Sequence, residues 1–150
     1  MKLSKKQTIT VVIPSCIPRI LTPNKSRLAH WGQITKVKNE LQRTALFCAI
    51  DAKNRWLKEN PGATLPFEKG LLWYDLIIKD RRSIMDDDGA IAGLKACRDI
   101  LQTAYKVKDE MMPGAGIIGN DREFVTAQLH WIIDKESAPK IVITVESQPS

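Results

Sequence analysis

The sequence predicts a small α/β fold: one domain over residues 1–150, with a mixed β-sheet packed against two main helices. Two observations lead there. Four short segments are apolar in the manner of strands, two longer ones repeat apolar residues every three or four positions in the manner of helices, and the order is strand, helix, strand, helix, strand, strand. A chain of 150 residues, 43% of them hydrophobic, is also long enough to bury a core of its own.

The elements follow in order. From Thr8 to Ile13, Ile9, Val11 and Ile13 alternate with polar neighbours, which is a strand pattern. Residues 14–23 contain Pro14, Pro18 and Pro23 and read as an irregular loop. Beyond the polar stretch Asn24 to Trp31, a long helix is expected, because Ile34, Val37, Leu41, Ala45, Cys48, Ala52 and Trp56 make one apolar stripe. Asn60-Pro61-Gly62 ends it, and Lys36, Lys38, Arg43, Lys53 and Arg55 lie off the stripe. Leu71 to Lys79 reads as a strand buried on both faces for much of its length. Gly89 to Ala104 reads as the second helix, with Ile91, Leu94, Cys97, Leu101 and Ala104 inward. Tyr105 to Arg122 reads as a loop that exposes Met111, Met112, Ile117 and Ile118, which are candidates for a dimer interface. Val125, Ala127, Leu129, Trp131 and Ile133 mark one face of a strand, and Ile141, Ile143 and Val145 mark the last. A short turn with Pro139 joins these two, so they are expected to pair as an antiparallel hairpin.

Composition narrows the function. No apolar run is long enough to span a bilayer, and the basic stretch Met1 to Lys6 leads into a strand without a signal-peptide core. A cytoplasmic protein with no membrane partner is expected. Cys16, Cys48 and Cys97 lack metal-ligand spacing and read as small buried hydrophobes, and with only His30 and His130 a His/Cys zinc site is not expected. The net charge of +6 is uneven: residues 1–60 carry 12 Lys/Arg against 3 Asp/Glu, and residues 61–150 carry 11 against 14. A basic half beside an acidic half suits a polyanion held next to an acidic site.

That acidic site is Asp86-Asp87-Asp88, followed by Lys95, Asp99 and Asp121. Carboxylates about 4–6 Å apart repel by roughly 3–4 kcal/mol at an effective dielectric near 20, so the run needs a counter-charge. Mg²⁺ supplies one, taking a few carboxylates and keeping water elsewhere. This is the layout of a site that cuts phosphodiesters. If Asp88 caps the second helix, Lys95 and Asp99 follow on nearly the same line of its surface, with small Ala92 between. Asp86 then lies outside the helix. Two simpler readings compete: Asp88 as a mere N-cap, and Arg81 and Arg82 as the neutralising charges.

Two other motifs are rejected. Gly114-Ala115-Gly116-Ile117-Ile118-Gly119 fits a dinucleotide fingerprint but follows a charged loop and opens no helix, so a flexible loop is expected. Asp86-Asp87-Asp88-Gly89 in an EF-hand register would put Ile84 and Lys95 at ligand positions.

The acidic residues resemble the RusA family of Holliday-junction resolvases, common in bacteriophages and prophages. Asp86-Asp87-Asp88-Gly89 resembles the family's Asp-x-Asp-Asn element. Lys95-Ala96-Cys97-Arg98-Asp99-Ile100-Leu101 resembles its Lys with an Asp four residues on. Asn120-Asp121-Arg122-Glu123-Phe124-Val125 resembles its later acidic pair, with Asp121 as the second acid. The Pro-rich stretch and the basic helix resemble the family's N-terminal part, and the likeness runs from about residue 9 to residue 146. The chain departs from the pattern with Gly89 for Asn, Asn120 for an acid, and a Lys95 spacing about one helical turn longer.

The resemblance implies a RusA-like fold and an enzyme, a crossover junction endodeoxyribonuclease. Such an enzyme nicks four-way junction DNA symmetrically in recombination and repair, acts as a homodimer, and works in the cytoplasm of a bacterial host carrying the phage or prophage. Asp86, Asp88 and Asp121 would hold Mg²⁺, with Mn²⁺ able to substitute; Lys95 would stabilise charge on the phosphate. Asp99 would orient Lys95, and Asn120 would stand in the shell behind the metal. Asn24, Arg27, His30, Lys36, Arg81 and Arg82 would bind DNA, chiefly its phosphates. The alternatives are a branched-DNA-binding protein without catalysis and a nuclease for other branched or flap DNA.

Overall fold

A computed structural model describes residues 7–21 and 31–148. A four-stranded mixed sheet is formed by β1 (Thr8–Ile13), β2 (Gly70–Ile78), β5 (Phe124–Ile133) and β6 (Lys140–Ser147), in the order β1-β6-β2-β5. Two helices accompany it, α1 (Trp31–Glu59) and α2 (Asp87–Asp99), together with a separate hairpin of β3 (Ala104–Val107) and β4 (Glu110–Pro113). The small α/β fold with a mixed sheet and two main helices is therefore as expected. No described helix is long and apolar enough to cross a membrane.

One face of the sheet is buried. Ile9, Val11 and Ile13 of β1, Leu72, Tyr74, Leu76 and Ile78 of β2, and Ile141, Ile143 and Val145 of β6 share a core with Leu41, Ala45, Ala49, Ala52 and Trp56 of α1 and Leu94 and Cys97 of α2. Trp56 meets Phe67 edge-on, with ring centroids 5.5 Å apart. The other face is open: β2 alternates buried and half-buried residues, so it is not sandwiched on both sides as its apolar run suggested. Cys97 is buried and Cys48 half-buried, but Cys16 is exposed, against expectation.

Four further expectations are corrected. First, β5 and β6 do not form a hairpin. β6 pairs antiparallel with both β1 and β2, while β5 runs parallel to β2 on its other side, so residues 134–139 step over the carboxyl end of β2. Second, β5 does not keep one alternation. Its register against β2 shifts between Leu72 and Trp73, leaving Ala127 as the extra residue of a bulge. Phe124 and Thr126 turn inward before the bulge and Leu129 and Trp131 after it, so Val125 is exposed; Ile133, in phase with Trp131, is exposed at the end of the strand.

Third, α2 starts at Asp87 and stops at Asp99 rather than running to Ala104. The carbonyls beyond it have other partners: Ile100 O accepts Ala115 N–H at 2.7 Å, Leu101 O accepts Ile117 N–H at 2.8 Å and Thr103 O accepts Gly114 N–H at 2.8 Å. The inward face of α2 comprises Ala90, Gly93, Leu94 and Cys97, which turns Ile91 out to 46% exposure. Fourth, residues 104–119 are no open loop. They contain the β3–β4 hairpin and a return segment whose Ala115, Ile117 and Ile118 are fully buried. Ile117 and Ile118 are therefore unavailable to a dimer interface, while Met111 and Met112 remain exposed.

The return segment passes so close to residues 100–103 that a Cβ on Gly114 would stand 1.9 Å from the backbone oxygen of Gln102. Gly114→Ala is expected to lower stability by about 1–3 kcal/mol or more in urea unfolding. Gly119→Ala, whose Cβ would meet neighbours at an ordinary 3.5 Å, is expected to be neutral or slightly stabilising. Equal effects would mean the return segment is not packed as described.

Candidate active site

The acidic residues sit where β2 hands over to α2. After Ile78 the chain makes a short turn, Arg81–Ser83, capped by Asp80, whose carboxylate accepts Arg82 N–H at 2.9 Å. Asp86, rather than Asp88, is the N-cap of α2: its Oδ1 accepts Gly89 N–H at 3.2 Å. Gly89 makes this approach possible, since a Cβ there would lie 2.5 Å from Asp86 Oδ1. Capping explains one acid. Asp88, in the first turn, is exposed and makes no ion pair among the described residues. Arg81 and Arg82 are exposed and form no ion pair with either acid, so they do not supply the neutralising charge. Instead, the carbonyl of Arg82 accepts a hydrogen bond from Arg19.

From Asp88 one face of α2 runs through Ala92 and Lys95, all three exposed, to half-buried Asp99. The spacing expected from the sequence therefore holds. Side chains on a helix tilt toward its N-terminus, which leans Lys95 toward Asp88. Lys36 is exposed on α1. Asn24, Arg27 and His30 lie outside the described residues.

Asp121 is elsewhere. It opens a short turn, Asp121–Glu123, capped by Asn120, whose Oδ1 accepts Arg122 N–H at 3.1 Å. That turn precedes the amino end of β5, and β5 is parallel to β2, so Asp121 belongs to the end of the sheet opposite the start of α2. Its carboxylate is ion-paired with Arg98 in the last turn of α2, ten residues past Asp88, or about 15 Å along the helix. Asp86, Asp88 and Asp121 are therefore not brought together, and no three His, Cys, Asp or Glu side chains among the described residues converge as metal ligands. The pair Asp86 and Asp88 still fits Mg²⁺, which needs only one or two carboxylates, with water and phosphate oxygens completing its shell. The proposed triple does not fit in this arrangement.

Arg98 is the residue that sequence reading missed. Besides the Asp121 carboxylate, it donates to Thr126 Oγ1 at 2.9 Å and to the carbonyls of Asp121 and Phe124. Burial of the guanidinium opposes its charge, but Asp121 and Tyr74 more than compensate and hold its pKa above the ordinary value. Beside it the Tyr74 hydroxyl is pushed up to about 12, mainly by burial. In the sequence, Arg98 lies between Cys97 and Asp99 inside a segment read as helix to Ala104, a setting that usually means a solvated side chain.

Asp99 lies in the same field. Burial raises its pKa above the usual carboxylate range; Lys95, Lys38 and Arg98 pull it down and Asp121 pushes it up. Since the folded state binds this proton more tightly than the unfolded chain, the linked stability is complete below the ordinary Asp pKa near 3.9 and is lost as pH rises through the raised value. Asp99→Asn is expected to flatten that part of the stability–pH curve, measured by urea unfolding between acid and neutral pH. An unchanged curve would place Asp99 in water rather than against α1 and Asp121.

Compared with known proteins, the chain matches no family model, no curated protein and no solved structure, so the chemistry of the site rests on its own residues.

Proposed function

We propose that this chain is a Mg²⁺-dependent endonuclease for branched DNA, of the junction-resolving kind that its likeness to the RusA family implies. The observation that carries the reading is the pair Asp86 and Asp88 beyond the carboxyl end of β2, which forms no ion pair among the described residues, with Lys95 on the same open helix face. In open α/β sheets, ligands bind beyond the carboxyl ends of strands. Asp86 and Asp88 would hold the ion. Mg²⁺, or Mn²⁺ in its place, supplies a Lewis acid for the scissile phosphate and a water of lowered pKa. Lys95 offsets the negative charge that builds on the phosphate as its ester bond breaks. Asp99, one turn on, restrains Lys95. Arg81, Arg82, Lys36 and the other cations of α1 bind backbone phosphates, giving affinity that falls with salt rather than sequence choice. A homodimer would present two such sites for two symmetric nicks. The exposed apolar side chains left for its interface include Met111 and Met112 and those of the open sheet face, such as Val12 and Ile132.

A second reading, a branched-DNA-binding protein without catalysis, is favoured by one observation: Arg98 holds Asp121 away from Asp86 and Asp88. Cleavage of a labelled four-way junction separates the two. The wild-type protein is expected to make paired nicks that need Mg²⁺ or Mn²⁺, and Asp88→Asn to lose about 10²-fold or more in rate while still binding the junction. Binding without any cut would establish the second reading, and preference for a flap over the junction would change the substrate.

A further inference from the structure

Between the amino-terminal half of α1 and the β3–β4 hairpin lies a groove of about 280 Å³. That is just under the roughly 300–1,000 Å³ of pockets for drug-sized ligands, so the space suits one flat group. Trp31, Thr35, Lys38 and Asn39 form one wall, at the spacing of a single helix face. Lys106 and Lys108 contribute to the other.

Three features stand out. Trp31 is 78% exposed, an unusual state for a large aromatic side chain. No acidic residue lines the groove, and none of its three lysines is ion-paired among the described residues. Lys108 also occupies a left-handed backbone conformation, φ 49°, in a tight hairpin turn where Gly, Asn or Asp is the usual choice. An exposed indole beside lysines that form no ion pair among the described residues is the combination that single-stranded nucleic acid requires: a ring to stack a base and ammonium groups to meet its phosphates.

The groove lies near the carboxyl end of the α2 face that carries Lys95, because Lys38 on its wall and Lys95 both act on Asp99. We propose that this groove takes an unpaired nucleotide of a DNA strand, its base against Trp31 and its phosphates on Lys38, Lys106 and Lys108, and so leads that strand toward the face of α2. This rests on the reading of the chain as a nuclease for branched DNA.

The test is titration of the full chain with a short oligothymidylate in EDTA, followed by tryptophan fluorescence. Trp56 is buried and Trp73 and Trp131 are half-buried, which makes Trp31 the most exposed reporter. Quenching is expected in the wild type. Trp31→Ala, and separately Lys106→Gln with Lys108→Gln, should weaken binding by about 10-fold or more, and Trp31→Phe should restore much of it. Equal binding by wild type and Trp31→Ala, followed by anisotropy of a labelled oligonucleotide, would overturn the proposal. Loss in the lysine variant alone would do so too, since it would leave charge without a base site. Junction nicking measured in parallel keeps the two readings apart. Trp31-dependent binding by a protein that cuts nothing supports the groove and removes the nuclease. Nicking without Trp31-dependent binding removes the groove alone.

Discussion

The guanidinium of Arg98 fixes how the last turn of α2 meets the first residues of β5. That joint needs a tie, because β5 is an edge strand held only by parallel pairing with β2 and by no hairpin turn. A planar fork of five donors suits it, and an ammonium would not span the same partners. From this one contact follow the position of Asp121, the field at Asp99 and the charged neighbour of the buried Tyr74 hydroxyl.

The two ends of α2 are therefore electrostatically different. At the carboxyl end Asp121 is ion-paired with Arg98, while burial disfavours the charge of Asp99 and Lys95 and Lys38 offset only part of that cost. At the amino end Asp86 accepts one backbone N–H and Asp88 is exposed, and neither forms an ion pair among the described residues. The helix dipole favours negative charge there, typically by about 0.3–1 kcal/mol. A divalent ion held by Asp86 and Asp88 would offset that charge, and the open face that Ala92 leaves between Asp88 and Lys95 would give a phosphodiester room beside it.

What was legible in the sequence was periodic. The alternation in Thr8–Ile13 and Ile141–Val145 and the stripe from Leu41 to Trp56 each depend on local geometry alone, and the structure keeps them. The common line of Asp88, Lys95 and Asp99 was legible for the same reason. The inward phase of β5 was not, because the bulge at Ala127 reverses it and a bulge is set by the partner strand. The end of α2 was hidden because the carbonyls of Ile100, Leu101 and Thr103 bond to residues 114–117, a competition no helix propensity records. The location of Asp121 depended on the direction of β5, and an antiparallel hairpin with β6 was the simpler local reading.

On the proposed reading, Asp86 and Asp88 would hold the metal without Asp121. Paramagnetic broadening of backbone amide signals by Mn²⁺ tests it directly. Loss of signal is expected around residues 84–92, abolished by Asp86→Asn with Asp88→Asn, while residues 119–124 are spared. Broadening centred on Asp121 and Asp99, or none that depends on Asp86 and Asp88, would contradict it.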